Sequence, residues 1–389
     1  MNGVTWDEVL GQPAAVEALR AALRSDEVAH AWLLVGPTGV GQPEAVRALA
    51  AALNCPDRSA DAGCGECSTC LRIGRGVHPA VDVFEPEGQF HLVDAVHDWI
   101  TTASRSLTEG QRRVMRVVAA DRMNESAQNA FLKILEEPPP SVVWVLEASD
   151  ESALLDTILS RCRRLDVVPW GPNALTQLAT RELGVPADRA LELARASLGS
   201  PERLRDLADP ELAEARWQHL ALLDRLATGG PGLVVPLAKE LTAWARGRVA
   251  PLKDKHLAEF ASYEESYGVD ERGRGWPTGV KKRLEQRHAR LERAEMRRAL
   301  DTLLDTLASQ LRDLLAVASG AGPDQVINVD HLASLQRDAV RLPPPAAVQG
   351  LRAIARCREA LDRNGAPELQ LERLLLAIAL PLYAQAAAS

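Results

Sequence analysis

Four of the six cysteines in this 389-residue chain, Cys55, Cys64, Cys67 and Cys70, are spaced C-x8-C-x2-C-x2-C. Four thiolates can close a tetrahedron around one zinc ion, and the two-residue gaps let neighbouring sulfurs converge on it. A site closed in this way is structural, because no position is left for water or substrate. An iron–sulfur cluster is the rival reading, since C-x2-C-x2-C occurs in cluster proteins, though their fourth ligand is spaced differently; colour separates the two. Free thiols crowded among glycine, serine, aspartate and threonine would invite oxidation. His78 and His91 are surplus to a complete four-thiolate site, and Cys162 and Cys357 read as buried fillers.

A second stretch, "WLLVGPTGVGQPEAVRALA", has the frame of a phosphate-binding loop, G-x-x-x-x-G-K-[ST], between an apolar run and a helical pattern. Gly36, Gly39 and Gly41 are present, with the first and last at the spacing the frame requires. Gln42 and Pro43 stand where the lysine and the hydroxyl residue belong. In a working loop the lysine neutralises the outer phosphates, the hydroxyl holds magnesium and backbone N–H groups cradle the oxygens. Gln42 has no charge to offer, and Pro43 has neither hydroxyl nor N–H. Proline is comfortable in the first turn of a helix, so the architecture can persist without the chemistry.

The elements around these residues follow from periodicity. "AAVEALRAALR" is a helix at residues 14 to 24, "HAWLLVG" a buried strand, and "EAVRALAAALN" the helix after the loop. Strands are expected at "AVDVFEP", "VMRVVAA" and "VVWVLEAS", separated by the helices "LVDAVHDWITTA" and "SAQNAFLKILEE", in which Phe131, Leu132 and Leu135 face the core. Strands alternating with helices make a mostly parallel, three-layer sheet whose ligands sit at the carboxyl ends of strands. After "LDVVPWGPN" the strand signals stop. Residues 171 to 208 read as short helices, and long helices run from about 209 to the end. One is expected from about Val280 to Ala318, with a stripe of Leu300, Leu303, Leu304, Leu307, Leu311, Leu314 and Leu315 and a stop at Gly320. A polar, glycine-rich loop spans about 262 to 279, and no fixed-period repeat is present.

The composition, 46% hydrophobic and 25% charged, is that of a chain with two or three ordinary cores. No segment reaches the ~20 apolar residues of a membrane span, and the start has no basic end or apolar block of a signal peptide, so a cytoplasmic protein without membrane partners is expected. A net charge of −8 argues against an indiscriminate grip on nucleic acid. Lys281 to Arg298 carries eight basic and three acidic residues, read as the solvated face of a helix rather than a DNA-contacting surface.

The stretch "RVVAADRMNESAQNAFLKILEEPPPSVVWVLEASDESALLDTILSRCRRL", residues 116 to 165, resembles the clamp-loader branch of the AAA+ ATPases. In that branch a D-E-A-D strand end is followed by a helix closing in L-E-E-P and, after the next strand, by T-I-x-S-R-C. With "VLGQPAAVEAL" and "HAWLLVGPTGVG" the similarity covers about residues 4 to 168. The four cysteines resemble the zinc module inserted in bacterial clamp-loader subunits, and "SQLRDLLAVASGA" and "NGAPELQLERLLLAI" resemble their collar. The implied architecture is α/β plus all-α: an AAA+ parallel-sheet domain with a zinc module to about 170, a small helical lid over 171–208, and a helical collar over 209–389.

The same resemblance implies what is missing. The magnesium-binding Asp and the catalytic Glu of D-E-A-D fall on Val118 and Ala119, with Asp121 as the last acid. Of the family's subunits the chain is most similar to the kind whose own nucleotide site is degenerate, with no ATP expected there. An active ATPase, the alternative, would need a lysine at 42 and an acid at 119. Arg161, in "ILSRCRR", falls on the family's arginine finger, which points at the ATP of a neighbouring subunit; otherwise it is a solvated arginine beside Arg163 and Arg164. The implied partners are the other clamp-loader subunits in a hetero-pentamer, the sliding clamp and primed DNA during replication.

Overall fold

The computed structural model describes residues 5–9, 11–86, 90–267, 274–276 and 280–386, and its contacts divide the chain into two compact units, residues 1–209 and 210–389. The first unit is built on five parallel strands: β1 (Ala31–Val35), β2 (Val81–Phe84), β3 (Arg113–Val117), β4 (Val142–Ala148) and β5 (Arg163–Asp166), in the spatial order β2-β3-β4-β1-β5. The first helices are α1 (Pro13–Arg24), α2 (Gln42–Asn54), α3 (Ser68–Gly74), α4 (Val93–Ala103), α5 (Glu125–Glu136) and α6 (Asp156–Leu159).

Alternation along β1 sorts the layers, as the pleat requires. Trp32 and Leu34 point into a core shared with α1 and α2, while Ala31 and Leu33 point into one shared with α4, α5 and α6. Phe131 meets Trp144 edge to face at 4.9 Å, Leu135 is buried beside it, and Leu132 is partly buried. The expected three-layer parallel sheet is present. Strand β5, "RRLD", carries charge at three of its four positions and sits at the edge, where only Leu165 is buried. Helices α7 (Pro172–Arg181), α8 (Ala187–Ala196) and α9 (Pro201–Ala208) join the α1–α2 core through Leu175, Leu178, Leu193 and Leu204.

The second unit is helical: α10 (Pro210–Leu220), α11 (Leu222–Gly229), α12 (Val234–Tyr267), α13 (Val280–Ala318), α14 (Leu332–Arg341), α15 (Pro344–Asp362) and α16 (Pro367–Ala386). The α13 stripe from Leu300 to Leu314 is buried, with Leu315 at its margin, and Gly320 takes φ +82° just beyond the helix end. The glycine-rich loop starts later than the sequence suggests, because α12 runs to Tyr267; residues 268–273 and 277–279 lie outside the described residues. In the basic stretch of α13, Arg297 bonds Asp301 and Asp362, and His288 stacks on His256 of α12 at 3.8 Å. The side chains of Arg283, Arg287 and Arg290 lie outside the described part. Among the described residues, no helix is long and apolar enough to cross a membrane.

One buried side chain locks α5 to the segment that leads into α6. Gln128 Nε2 donates to the carbonyls of Met123 and Ala153 at 3.0 and 2.9 Å, and its Oε1 accepts the Leu155 N–H at 2.7 Å. Leucine is similar in size but satisfies none of these groups. Gln128→Leu should therefore lower the stability of the first unit by about 2 to 4 kcal/mol, read as a lower midpoint in denaturant by tryptophan fluorescence.

Candidate functional site

The turn after β1 has the shape of a phosphate loop, and its interior is filled by the chain itself. Gly36 (φ +151°) passes so close to the chain leaving β5 that a Cβ would lie 2.0 Å from the Val167 carbonyl oxygen. Gly41, at φ +106°, presents its bare Cα to the Trp170 indole, 3.3 Å from where a Cβ would be, and Gly39 is also left-handed, at φ +76°. Pro43 falls within the first turn of α2, where its missing N–H costs nothing.

Gln42, the first residue of α2, is 2% exposed and folds back into the loop. Its Nε2 donates to the Pro37 carbonyl at 2.5 Å, and its Oε1 accepts the Val40 N–H at 3.0 Å. A loop N–H of the kind that would cradle a phosphate is thus engaged inside the protein. The Val40 carbonyl is held as firmly, accepting from Gln12 Nε2 at 2.8 Å and from the Trp170 indole at 2.7 Å. Gln12 also donates to the Val168 carbonyl (2.6 Å) and accepts the Val168 N–H (3.0 Å). Ser200, the N-cap of α9, donates to the Gly39 carbonyl at 3.0 Å. Sequence reasoning missed Gln12, Trp170 and Ser200; the one available signal was that "GQP" occurs twice, at 11–13 and 41–43, each time opening a helix.

Val118 and Ala119 follow β3 at the carboxyl edge of the sheet. The Val118 carbonyl accepts from His91 Nε2, with the ring in that tautomer, at 2.7 Å, and Ala119 is left-handed at φ +52°. Burial holds the His91 imidazole below the ordinary histidine range. Asp121 ties strand ends together, its Oδ2 accepting from Ser149 N–H (3.0 Å), Ser149 Oγ (2.7 Å) and Asp150 N–H (3.0 Å).

Arg161 lies just past α6, half-buried. Its Nη2 donates to Glu136 Oε1 at 2.7 Å and its Nη1 to the Thr157 carbonyl at 2.9 Å. The neighbouring arginines are placed differently: Arg163 stacks over Trp32 at 5.0 Å, and Arg164 pairs with Glu151 and Asp166 at 2.6 and 2.8 Å. Cys162 is partly buried, and burial pushes its thiol up to about 12.

Cys55 caps the far end of α2, and with Cys64, Cys67 and Cys70 it gathers four sulfurs within 4.8 Å of one another. The Cys55–Cys67 and Cys64–Cys70 sulfurs are 3.7 and 4.0 Å apart. A tetrahedral ion with ~2.3 Å metal–sulfur bonds separates its ligands by about 3.8 Å. Backbone N–H groups of Glu66 and Cys67 hold the exposed Cys64 thiol down to about 7, whereas burial pushes Cys55 and Cys70 up. Four such thiols can ionise together only around a cation. The module is fastened to α1 by Asp61, which pairs with Arg20 and Arg24 at 2.9 and 2.8 Å. His78 Nδ1 accepts the Ala80 N–H at 3.1 Å, and among the described residues His78 is not one of the side chains gathered in this cluster.

Two family models match the chain: one described as DNA polymerase III, delta subunit, over residues 11–170, and one described as the C-terminal part of the DNA polymerase III delta subunit, over residues 285–379. The chain is 37% identical over 193 residues to DNA polymerase III subunit delta' of Pseudomonas aeruginosa, an alignment covering 49% of this chain and 59% of that one. It is 30% identical over 224 residues to the subunit delta' of Bacillus subtilis, covering 57% of this chain and 68% of the relative. The tau subunit of Escherichia coli is 32% identical over 221 residues, covering 55% of this chain and 34% of its own length.

Gln42→Ala removes both partners that close the loop. The expected outcome is a loss of about 1 to 3 kcal/mol in the first unit, with faster amide exchange at Val40, measured by hydrogen–deuterium exchange.

Proposed function

The chain belongs to the family of DNA polymerase III delta' subunits, and from that premise we propose that it is a non-catalytic clamp-loader subunit, which completes the ATP site of an adjacent motor subunit. The observation that carries this reading is Gln42: the residue in the lysine position is turned inward, uncharged and bonded to the loop it would otherwise leave open. Pro43, Val118 and Ala119 supply neither a metal ligand nor a base. The charge-assisted contacts to phosphate, worth about 1.5 to 3 kcal/mol each, have no source in this loop. Its own site therefore holds no ATP, and the loop serves as a structural strand-to-helix turn.

In this reading the protein works with gamma/tau-type motor subunits and a delta-type subunit in a hetero-pentamer that opens the sliding clamp and loads it onto primed DNA. Helices α7 to α9 form the lid, and residues 209–389 form the collar through which the ring assembles. Arg161 is the arginine that reaches the neighbour's nucleotide, where a planar cation stabilises charge that builds up mainly in the transition state. Cys55, Cys64, Cys67 and Cys70 hold one structural zinc. The sulfur spacing supports a single ion, because a cluster of several irons would need the sulfurs further apart.

Two measurements test this. Pure protein should contain about one equivalent of zinc and be colourless, and Cys67→Ser should lose the metal and expose residues 55–70 to proteolysis while the sheet stays folded. In a clamp loader reconstituted with its motor subunits, Arg161→Ala should fold, bind zinc and assemble, yet lower DNA-stimulated ATP turnover severalfold with little change in ATP affinity. A single arginine finger is worth ~10³ to 10⁵ in rate, and a ring with several ATP sites dilutes the loss of one. Arg161→Lys should restore little, since an ammonium lacks the planar fork. A wild-type rate for the alanine form would reduce Arg161 to a surface charge.

A further inference from the structure

We propose that Glu136 is the positioning residue for Arg161: it fixes the tip of the arginine so that the guanidinium meets a nucleoside triphosphate bound by the adjacent subunit already oriented. The inference rests on the reading of Arg161 as a donor in trans. Glu136 is the last residue of α5, and its carboxylate accepts from Arg161 Nη2 at 2.7 Å. A carboxylate in the last turn of a helix faces the negative end of the dipole, where a cation is the favoured side chain. Its placement there is compensated by the guanidinium. The second contact, Nη1 to the Thr157 carbonyl at 2.9 Å, uses a carbonyl of the short helix α6. Two contacts at different nitrogens define the plane and direction of a rigid fork.

The backbone beneath the arginine is indexed to the same helix. Gln128, two turns before Glu136 on α5, holds the Ala153 carbonyl and the Leu155 N–H at the entry to α6. One helix therefore places the arginine twice, its base through Gln128 and its tip through Glu136. The two contacts use one N–H of Nη2 and one of Nη1; the guanidinium carries five, so Nε–H and a second hydrogen on each Nη remain for phosphoryl oxygens. Holding the donor in a single orientation before the nucleotide arrives removes the ordering cost from the reaction step, which acts on turnover rather than on binding.

The test is a double-mutant cycle in the reconstituted clamp loader, with ATP as the probe and the steady-state kcat and KM of DNA-stimulated hydrolysis as readouts. Glu136 is exposed, so its variants should fold and assemble, checked by zinc content and co-elution with the motor subunit. Glu136→Ala should lower kcat roughly twofold, less than the loss of Arg161 itself, and leave KM for ATP unchanged. Glu136→Gln keeps an acceptor oxygen at the same reach and should recover most of the loss. In an Arg161→Ala background, Glu136→Ala should have no further effect. An unchanged or raised kcat in Glu136→Ala overturns the proposal, the latter because Glu136 would then be a restraint. An equal loss in the Arg161→Ala background also overturns it, because the carboxylate would be acting elsewhere. If Arg161→Ala itself turns over at the wild-type rate, the reading of Arg161 fails and this inference with it; if Arg161→Ala is slow and Glu136→Ala is not, only the role of Glu136 falls.

Discussion

The backbone of Val40 is the point on which the first unit turns. Its N–H is taken by Gln42 and its carbonyl by Gln12 and Trp170, so the two polar groups of one residue join the starts of α1 and α2 to the chain leaving β5. A glycine-rich turn that points N–H groups inward is an anion receptor by construction. Left empty and shielded from water, such groups would be costly. The amide of Gln42 satisfies the turn from within, and it does so with a neutral group that needs no counter-charge. The loop can then keep three glycines at positive φ, together with the close passage beside Val167, in the absence of a ligand.

Helix α2 links this plug to the cysteine module. Its thirteen residues span roughly 20 Å, from Gln42 inside the loop to Asn54, with Cys55 next in the chain. Asn54 is buried and secures the far end, its Oδ1 accepting the Gln111 and Arg112 N–H groups and its Nδ2 donating to the Arg112 carbonyl. Those residues lead directly into β3, whose other end carries Val118 and Ala119. The same helix therefore sets the depth of the loop and the starting point of the strand on which the acidic pair of an ATPase would stand.

The parts of this structure that were legible beforehand are those encoded by local period or by spacing. Strand β1, the glycine turn and α2 follow from an apolar run, two glycines and a 3.6-residue repeat. The four cysteines announce their convergence because short gaps leave little freedom. Strand β5 was not singled out, since "RRLD" owes its conformation to pairing with β1 rather than to its own side chains. The substitution at 42 could be read as a lost charge, but not as a gained set of hydrogen bonds, because these depend on the side chain turning back over a loop whose shape comes from tertiary contacts. The pairing of Glu136 with Arg161 spans 25 positions and has no local signature. Trp170 is a long-range case as well: nothing near it in the chain says that its ring lies against Gly11 and Gly41.

The parallel sheet also fixes an order of events as the chain emerges. Strand β1 lies at residues 31–35, yet its partners are β4, in the register Ala31 with Trp144, and β5, in the register Trp32 with Arg163. The middle of the sheet must wait until more than a hundred further residues have been made, and contacts of such separation form slowly. The cysteine module closes within residues 55–70, a loop short enough to form while most of the sheet is still unsynthesised. It can anchor the end of α2 in that interval, when Trp32, Leu33 and Leu34 have no strand beside them and are most exposed to mispairing.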